Sequence, residues 1–125
     1  MGHSVARSAG RIINRIGGRM DYSELSDFEI NKRVAEYIGI TPDNIFDKEN
    51  VIFRPFGNDK FENFDPCNNP YDAMPIIIEN GISLIFEKGK FEFATNDGDI
   101  ECSLDNPYKA AMVIFLHIKG MENEI

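Results

Sequence analysis

The chain has 125 residues, of which 42% are hydrophobic, and a formal net charge of −8 at pH 7. This length predicts one small domain with enough apolar side chains to form a core. No apolar run reaches the roughly 20 residues that cross a bilayer, so the sequence excludes a membrane-spanning helix. The excess of carboxylates opposes direct binding to nucleic acid or to anionic lipid.

Residues 1–19 differ in composition from everything that follows. They hold four arginines and no acidic residue, whereas the remainder holds all 21 acidic residues and nine basic ones. We interpret 1–19 as a disordered, non-native leader and 20–125 as a single domain. A basic arm that binds nucleic acid and a targeting presequence are the alternative interpretations.

The first predicted helix covers about residues 26–38. Ser26 and Glu29 have the spacing of a capping box, in which each side chain accepts a hydrogen bond from the backbone N–H of the other residue. Gly39 is a typical helix end. Apolar residues recur between them at helical spacing, at Ile30, Val34, Tyr37 and Ile38.

Residues 55–68 are predicted to form a long loop without regular structure. They follow a short strand candidate at 51–53, which Pro55 keeps from a central place in a sheet. Loops of this length are often functional, and the alternative is a compact surface loop held by its own phenylalanines. The candidate partner-facing residues are Phe61, Asn63, Phe64, Asp65, Cys67 and Asn68.

Two more helices are predicted at about 70–80 and 107–119, and both begin with the tripeptide Asn-Pro-Tyr. Asparagine is a good N-cap, and proline at the first helical position loses no hydrogen bond. Pro75 predicts that the earlier helix is kinked or loses its first turn. The later helix is apolar almost all round from Ala110 to Leu116, which indicates burial on more than one side.

The predicted centre of the fold is a three-stranded antiparallel meander, with strands at about 82–87, 90–95 and 99–104. We interpret Lys88-Gly89 and Asp97-Gly98 as two-residue hairpin turns. The resulting register pairs Phe86 with Phe91, Leu84 with Phe93, and Cys102 with Phe93.

This register collects the apolar side chains of the meander on one face. The predicted apolar face consists of Ile82, Leu84, Phe86, Phe91, Phe93, Ile100, Cys102 and Leu104, with Ile85 as an exception on the other face. A sheet this small needs a cover, so the sequence predicts an α+β fold whose three helices cover the apolar face. The order helix, three strands, helix resembles the topology of double-stranded-RNA-binding domains, but those use basic residues on phosphates.

The sequence contains no recognisable motif for catalysis, a cofactor or a metal. Its two histidines and two cysteines lack zinc-site spacing, and no calcium loop or phosphate-binding glycine loop is present. Cys67 and Cys102 predict reduced thiols rather than a disulfide framework. A thiol-hydrolase set could combine Cys67 with His117 and one of Asn68, Asn69 or Asp72, but it rests on residue types alone. We therefore predict no catalytic residues, no cofactor and no metal.

From Met20 onward the sequence resembles the NinX family of small proteins from lambdoid bacteriophages and prophages. The resemblance is carried by residues 21–31, Cys67-Asn68-Asn69-Pro70, Pro75-Ile76-Ile77, Gly81-Ile82-Ser83 and residues 106–111. It implies a gene near the phage DNA-replication and late-control region, expressed in a bacterial cytoplasm. It brings no catalytic residues, and the basic leader departs from the family's start.

Together these observations predict a non-enzymatic phage accessory protein that binds an unidentified host or phage protein. Its acidic surface and the 55–69 loop are the expected contacts, and no direct binding to nucleic acid or to membrane is expected. One alternative is an acidic decoy that presents carboxylates in place of phosphates to a nucleic-acid-binding protein. The other alternative is an enzyme with an unrecognised site.

Overall fold

The computed structural model describes residues 11–14 and 21–123, and the fold of this part of the chain is α+β. The helices are α1 (Asp27–Ile38), α2 (Pro70–Glu79) and α3 (Pro107–Asn123). The strands are β1 (Arg11–Asn14), β2 (Ile45–Phe46), β3 (Val51–Pro55), β4 (Phe61–Asn63), β5 (Ser83–Glu87), β6 (Lys90–Asn96) and β7 (Ile100–Ser103). Short 3-10 helices lie at Tyr22–Glu24 and Pro42–Asn44.

Helix α3 lies at the centre of the molecule. All of its residues from 110 to 117 are buried, which confirms the prediction that this helix is covered on more than one side. It packs against β6 and β7, and it also contacts α1 and α2. The prediction that all three helices cover the sheet is therefore wrong for α1 and α2. These two helices pack mainly on α3, and α3 makes the main helix contact with the sheet.

The main sheet has four antiparallel strands in the order β1-β7-β6-β5. Its first hairpin confirms the predicted turn, since Glu87 pairs with Lys90 and Phe86 with Phe91. Beyond that point a β-bulge shifts the register, and Ile85 pairs with Phe93. Glu92 is the extra residue of this bulge. The predicted pairing of Leu84 with Phe93 is wrong, because Leu84 pairs with Ala94.

The second hairpin is shifted by one residue from its predicted register. Ile100 pairs with Asn96, and Cys102 pairs with Ala94 instead of Phe93. The side chain of Thr95 explains the shift, because its hydroxyl accepts from the N–H of Gly98 at 3.0 Å and donates to the carbonyl of Ile100 at 2.7 Å. This bridge holds the turn in a wider form than a plain two-residue loop.

The two corrections move Phe93 off the predicted apolar face. Ala94 is fully buried on the side of α3, so its neighbour Phe93 lies on the opposite face of the sheet. There it is paired with Ile85, which is the residue that the sequence pattern left as an exception. Phe91 stays with the core, against which it packs.

A second sheet, in the order β2-β3-β4, corrects the prediction of an unstructured loop at 55–68. The first half of that stretch is a hairpin, in which Pro55 pairs with Phe61 and the N–H of Phe56 donates to the carbonyl of Lys60 at 2.9 Å. Pro55 occupies the last position of β3, where a missing N–H is tolerated. Helix α1 packs against β3.

Strand β1 corrects part of the leader prediction. Arg11–Asn14 are not outside the fold, because they pair antiparallel with β7 from Arg11 opposite Ser103 to Asn14 opposite Ile100. A sheet edge offers a row of open N–H and C=O groups that an extended segment can satisfy. The rest of residues 1–19 lies outside the described residues, and its non-native origin stays a prediction.

The predicted helix starts are confirmed by their caps. The N–H of Glu29 donates to the hydroxyl of Ser26, and the N–H of Ser26 donates to the carboxylate of Glu29, both at 3.1 Å. Helix α2 continues through Pro75 as one helix, so the alternative in which its first turn is lost is wrong, and the kink stays a prediction.

Candidate functional site

The six residues predicted to face a partner do not form one surface. Phe64 and Cys67 are buried in the core, with 2% and 0% of their surfaces exposed. Phe61 and Asn63 are exposed on β4, Asp65 is half-buried, and Asn68 is exposed. The prediction needs correction at Phe64 and Cys67, because apolar burial holds them away from solvent. The remaining four residues can still be reached by a partner.

The segment around Asp65 and Asn68 joins the starts of all three helices. We call this cluster the junction and define it as Asp27, Asn31, Asp65, Asn68 and Asn106. The amide of Asn31 donates to Asp65 at 2.7 Å and accepts from the N–H of Cys67 at 3.0 Å. The amide of Asn68 donates to Asp27 at 3.1 Å and to Asp65 at 3.2 Å. These bonds tie α1 to the segment that leads into α2.

Asn106 connects the junction to α3. Its amide donates to the carbonyl of Cys67 at 2.6 Å and to the side chain of Asn68 at 3.1 Å. Its oxygen also accepts from the N–H of Tyr108 at 2.9 Å, which caps the helix. One asparagine therefore closes a helix start and holds the neighbouring segment.

One of the two carboxylates of the junction is paired with a cation, because Lys109 lies 2.9 Å from Asp27. Burial acts to raise the pKa of Asp27, but hydrogen bonds from Lys109 and Asn68 outweigh it, so the pKa is lowered. The carboxylate also lies in the first turn of α1, where the helix dipole favours negative charge. The junction is thus a satisfied structural network.

The thiol of Cys67 is poorly placed for nucleophilic chemistry. Burial raises the pKa of Cys67 well above its ordinary range, and the carboxylate of Asp27 adds to the shift. The thiolate, which is the reactive form, is therefore disfavoured. Burial likewise raises the pKa of Cys102 to about 12.

His117 lies in the buried stretch of α3. Within the described residues it makes no hydrogen bond to Cys67. Its ring meets that of Tyr22 edge to face, with centroids 4.9 Å apart. Its Nε2 has no hydrogen-bond partner in the described part of the chain. Burial lowers the pKa of His117, although the carboxylate of Asp21 acts in the opposite direction. The thiol-hydrolase set considered from residue types is thus not assembled by these contacts.

Asp72 and Arg54 fasten the inner face of α2 to the second sheet. Arg54 lies 3.1 Å from Asp72 and 2.6 Å from Glu62, and the N–H of Asp65 donates to Asp72 at 2.9 Å. Burial raises the pKa of Asp72, while the Asp65 N–H and the Arg54 guanidinium act against the rise. No group of three His, Cys, Asp or Glu side chains that could hold a metal ion occurs among the described residues.

The outer face of α2 carries the most exposed large apolar residues of the described chain. Tyr71 is 85% exposed and Ile78 is 72% exposed. They lie on one side of the helix with two more apolar residues, and we call Tyr71, Met74, Pro75 and Ile78 the α2 stripe. Together with Pro70 these residues line a shallow groove of about 530 Å³.

The α2 stripe is not among the contacts predicted from the sequence, although the sequence carries a signal for it. The helix reads PYDAMPIIIE, and it is apolar on both faces. Ala73, Ile76 and Ile77 are buried on the inner face, while the stripe repeats at i, i+3, i+4 and i+7 on the other. A helix that is apolar all round needs a partner on each side. This holds for α3, and it holds equally for α2.

One of the comparisons with known proteins identifies a family. No described helix is long and apolar enough to cross a membrane. A search of curated proteins and a search of solved structures each found no match. The family model described as "Bacteriophage P22, NinX" matches residues 21–119, which is most of the chain. The α+β domain with its junction and its α2 stripe therefore belongs to the NinX family of bacteriophage proteins.

Proposed function

We propose that this NinX family member is a non-enzymatic accessory protein that acts in the bacterial cytoplasm by binding a host or phage protein. The α2 stripe carries this proposal, because Tyr71 and Ile78 stay largely in water on a helix whose other face is firmly packed. Contiguous exposed apolar side chains of this size are typical of protein-binding surfaces. Burying one such side chain contributes about 1.5–3 kcal/mol.

The spacing of the α2 stripe fits one mode of recognition. Anchors at i, i+3, i+4 and i+7 are the positions that a helix presents when it lies in an apolar groove of its partner. Tyrosine is also enriched among the residues that dominate binding energy. We therefore expect α2 to be the ligand helix and the partner to supply the groove.

The inner side of α2 supports this role because it holds the helix ready for binding. The amide oxygen of Asn69 caps it by accepting from the N–H of Tyr71 at 3.0 Å, and Asp72 is paired with Arg54. A helix that is already ordered loses little conformational entropy when it binds. Most of the free energy of burial then contributes to the affinity of the complex.

The charge of the chain supports a partner with a basic rim around its groove. The net charge is −8, whereas the α2 stripe itself contains no ionisable group except the tyrosine hydroxyl. Complementary charge at a rim accelerates association and suppresses wrong partners. Asn68, which is exposed next to the start of α2, is the residue of the predicted partner-facing loop that lies nearest to the stripe in the sequence.

The proposal is tested by site-specific photo-crosslinking in phage-infected bacteria. A photoreactive phenylalanine analogue replaces Tyr71, and the matched control places it at Phe46, which is 40% exposed on β2. We expect a discrete crosslinked protein from position 71 that is absent from position 46. A second substitution, Ile78→Glu, should abolish that product without changing the far-UV circular dichroism. Identical products from both positions, or a product that survives Ile78→Glu, would contradict the proposal.

The acidic decoy is the second candidate, and the net charge of −8 is the observation that favours it. The two candidates differ in their response to salt. Binding through the α2 stripe should weaken only modestly between about 0.05 and about 0.5 M salt, because apolar burial is not screened and only the contribution of the partner's basic rim responds to salt. A phosphate-mimicking contact should weaken steeply over the same range, and it should survive Ile78→Ser.

A further inference from the structure

Strand β7 has two sides, and a different part of the chain occupies each of them. Its inner side pairs with β6, and its outer side pairs with β1. Within residues 21–123, β6 is the only strand that pairs with β7. The segment that contains β1 lies outside the part of the chain, residues 21–119, that matches the family. The outer edge of the family domain is thus completed by residues from outside it.

This outer edge is supported from the inner side of the sheet. Ile100 and Cys102 are fully buried, and α3 packs against β7. The backbone groups on the outer side of β7 are therefore held in the extended geometry that a further strand requires. Such an edge accepts an extended segment through main-chain hydrogen bonds, and its affinity does not depend on a deep pocket.

The charges along the edge indicate which segments fit it. Glu101 lies within β7, Asp99 precedes the strand, and Asp105 follows it. The segment that supplies β1 is the opposite in charge, since residues 1–19 contain four arginines and no acidic residue. The strand itself reads RIIN, with two β-branched residues that favour extended structure.

We propose that the outer edge of β7 is a strand-addition site for an extended, basic, β-branched segment of a partner protein, and that β1 occupies this site as an internal competitor. The site is separate from the α2 stripe and does not depend on it. Strand β1 contributes four residue pairs, and because it belongs to the same chain it competes intramolecularly with any partner segment. A partner segment therefore gains access only when β1 is displaced.

The test uses the full chain with β1 disabled. Ile12→Pro and Ile13→Pro are introduced together, because successive N–H groups of a strand point to opposite sides and one of the two prolines must remove a ladder donor. The matched control carries Val5→Pro and Ala6→Pro, outside β1. The probe is a fluorescent peptide with the sequence of residues 9–16, AGRIINRI. A second peptide, with both arginines replaced by glutamate, tests the charge requirement.

Two measurements report on the edge, namely peptide binding by fluorescence anisotropy and amide exchange of residues 100–103 by mass spectrometry. In the Ile12/Ile13 variant we expect exchange at 100–103 to be at least about tenfold faster and the peptide to restore protection. Wild type and control should bind the peptide at least about tenfold more weakly, because β1 competes at its effective concentration. The acidic peptide should not bind.

The proposal is overturned if the prolines leave exchange at 100–103 unchanged, or if the vacated edge does not bind the basic peptide at millimolar concentration. Sedimentation of the wild type tests whether a second copy of the chain uses the edge. A dimer that the Ile12/Ile13 prolines abolish would assign the edge to that second copy and would overturn the assignment to a partner protein. If the proline variant loses its fold, NMR of the wild type titrated with the peptide decides. Shifts confined to β1 and β7 support the site, and an unchanged spectrum overturns it.

Discussion

Helices α2 and α3 begin with the same tripeptide and are both rich in apolar residues, yet they end in opposite environments. Every residue of α3 from 110 to 117 is buried, whereas α2 buries only Asp72, Ala73, Ile76 and Ile77. The difference lies in their neighbours. The main sheet flanks α3 on one side and helices α1 and α2 flank it on the other, while α2 packs chiefly on α3. A helix start is therefore a local property, and the number of buried faces is a property of position.

The largest expected effect is the difference in stability between matched isoleucine substitutions in the two helices. Ile114 on α3 is fully buried and Ile78 on α2 is 72% exposed. Ile114→Ala should lower the free energy of unfolding by about 2–5 kcal/mol, because it removes buried methyl groups and leaves a cavity. Ile78→Ala should change it by less than about 0.5 kcal/mol. Urea unfolding followed by circular dichroism measures both. Equal losses would mean that the α2 stripe is packed in solution.

The second comparison concerns the two asparagine caps. Asn69→Ala removes one capping bond and should lower the free energy of unfolding by about 1 kcal/mol. Asn106→Ala should lower it by about 2 kcal/mol or more, because the carbonyl of Cys67 also loses its donor. Serine variants at both positions serve as controls that keep the cap but lose the amide donor. If Asn106→Ser is as stable as the wild type, the junction contributes nothing beyond the cap.

A smaller effect is expected from pH, through His117 on α3. The pKa of His117 is lowered in the folded chain, so the unfolded chain takes up a proton first as the pH falls. Neutral His117 makes its full contribution to the free energy of unfolding above the unfolded pKa of about 6.5. That contribution is lost as the pH falls toward the lower pKa of the folded chain. Thermal unfolding between about pH 7.5 and about pH 5.5 should show this loss in the wild type and a weaker loss in His117→Gln. Parallel curves for the two proteins would exclude His117 as the cause.

The last comparison concerns the reactivity of the two thiols, and no change in stability is expected from it. Cys67 precedes α2, whereas Cys102 lies beneath α3, and both are buried with raised pKa values. A disulfide reagent at about pH 8 should label neither in the folded protein and both in urea. Faster labelling of Cys67 than of Cys102 would indicate that the α2 side opens locally while the α3 side stays closed.

The sequence was sufficient where one short stretch decides the structure. Ser26 and Glu29 determine the start of α1, and Lys88-Gly89 determines the first hairpin. The even apolar character of α3 predicted its burial. For the helix start and the hairpin the deciding contacts lie within a few residues, so no knowledge of the rest of the chain is needed.

Where distant groups decide the structure, predictions from the sequence are wrong or absent. The register of β7 depends on the hydroxyl of Thr95, which bridges the turn and reaches the carbonyl of Ile100. The sequence predicts a loop where β3 and β4 form a hairpin, because β4 has only three residues. In the candidate site, the sequence predicts a loop position for Cys67, whereas hydrogen bonds with Asn31 and Asn106 hold its backbone inside. The exposure of the α2 stripe depends on which side of α2 meets α3, and no local pattern specifies that side.

The central position of α3 has a consequence for how the protein is made. It is the last element in the described chain, and α1, α2 and the main sheet all pack on it. During synthesis the earlier segments leave the ribosome without the surface that they bury against. The domain should therefore become compact only after α3 has emerged, and nascent chains stopped before Pro107 should remain open to proteases and chaperones.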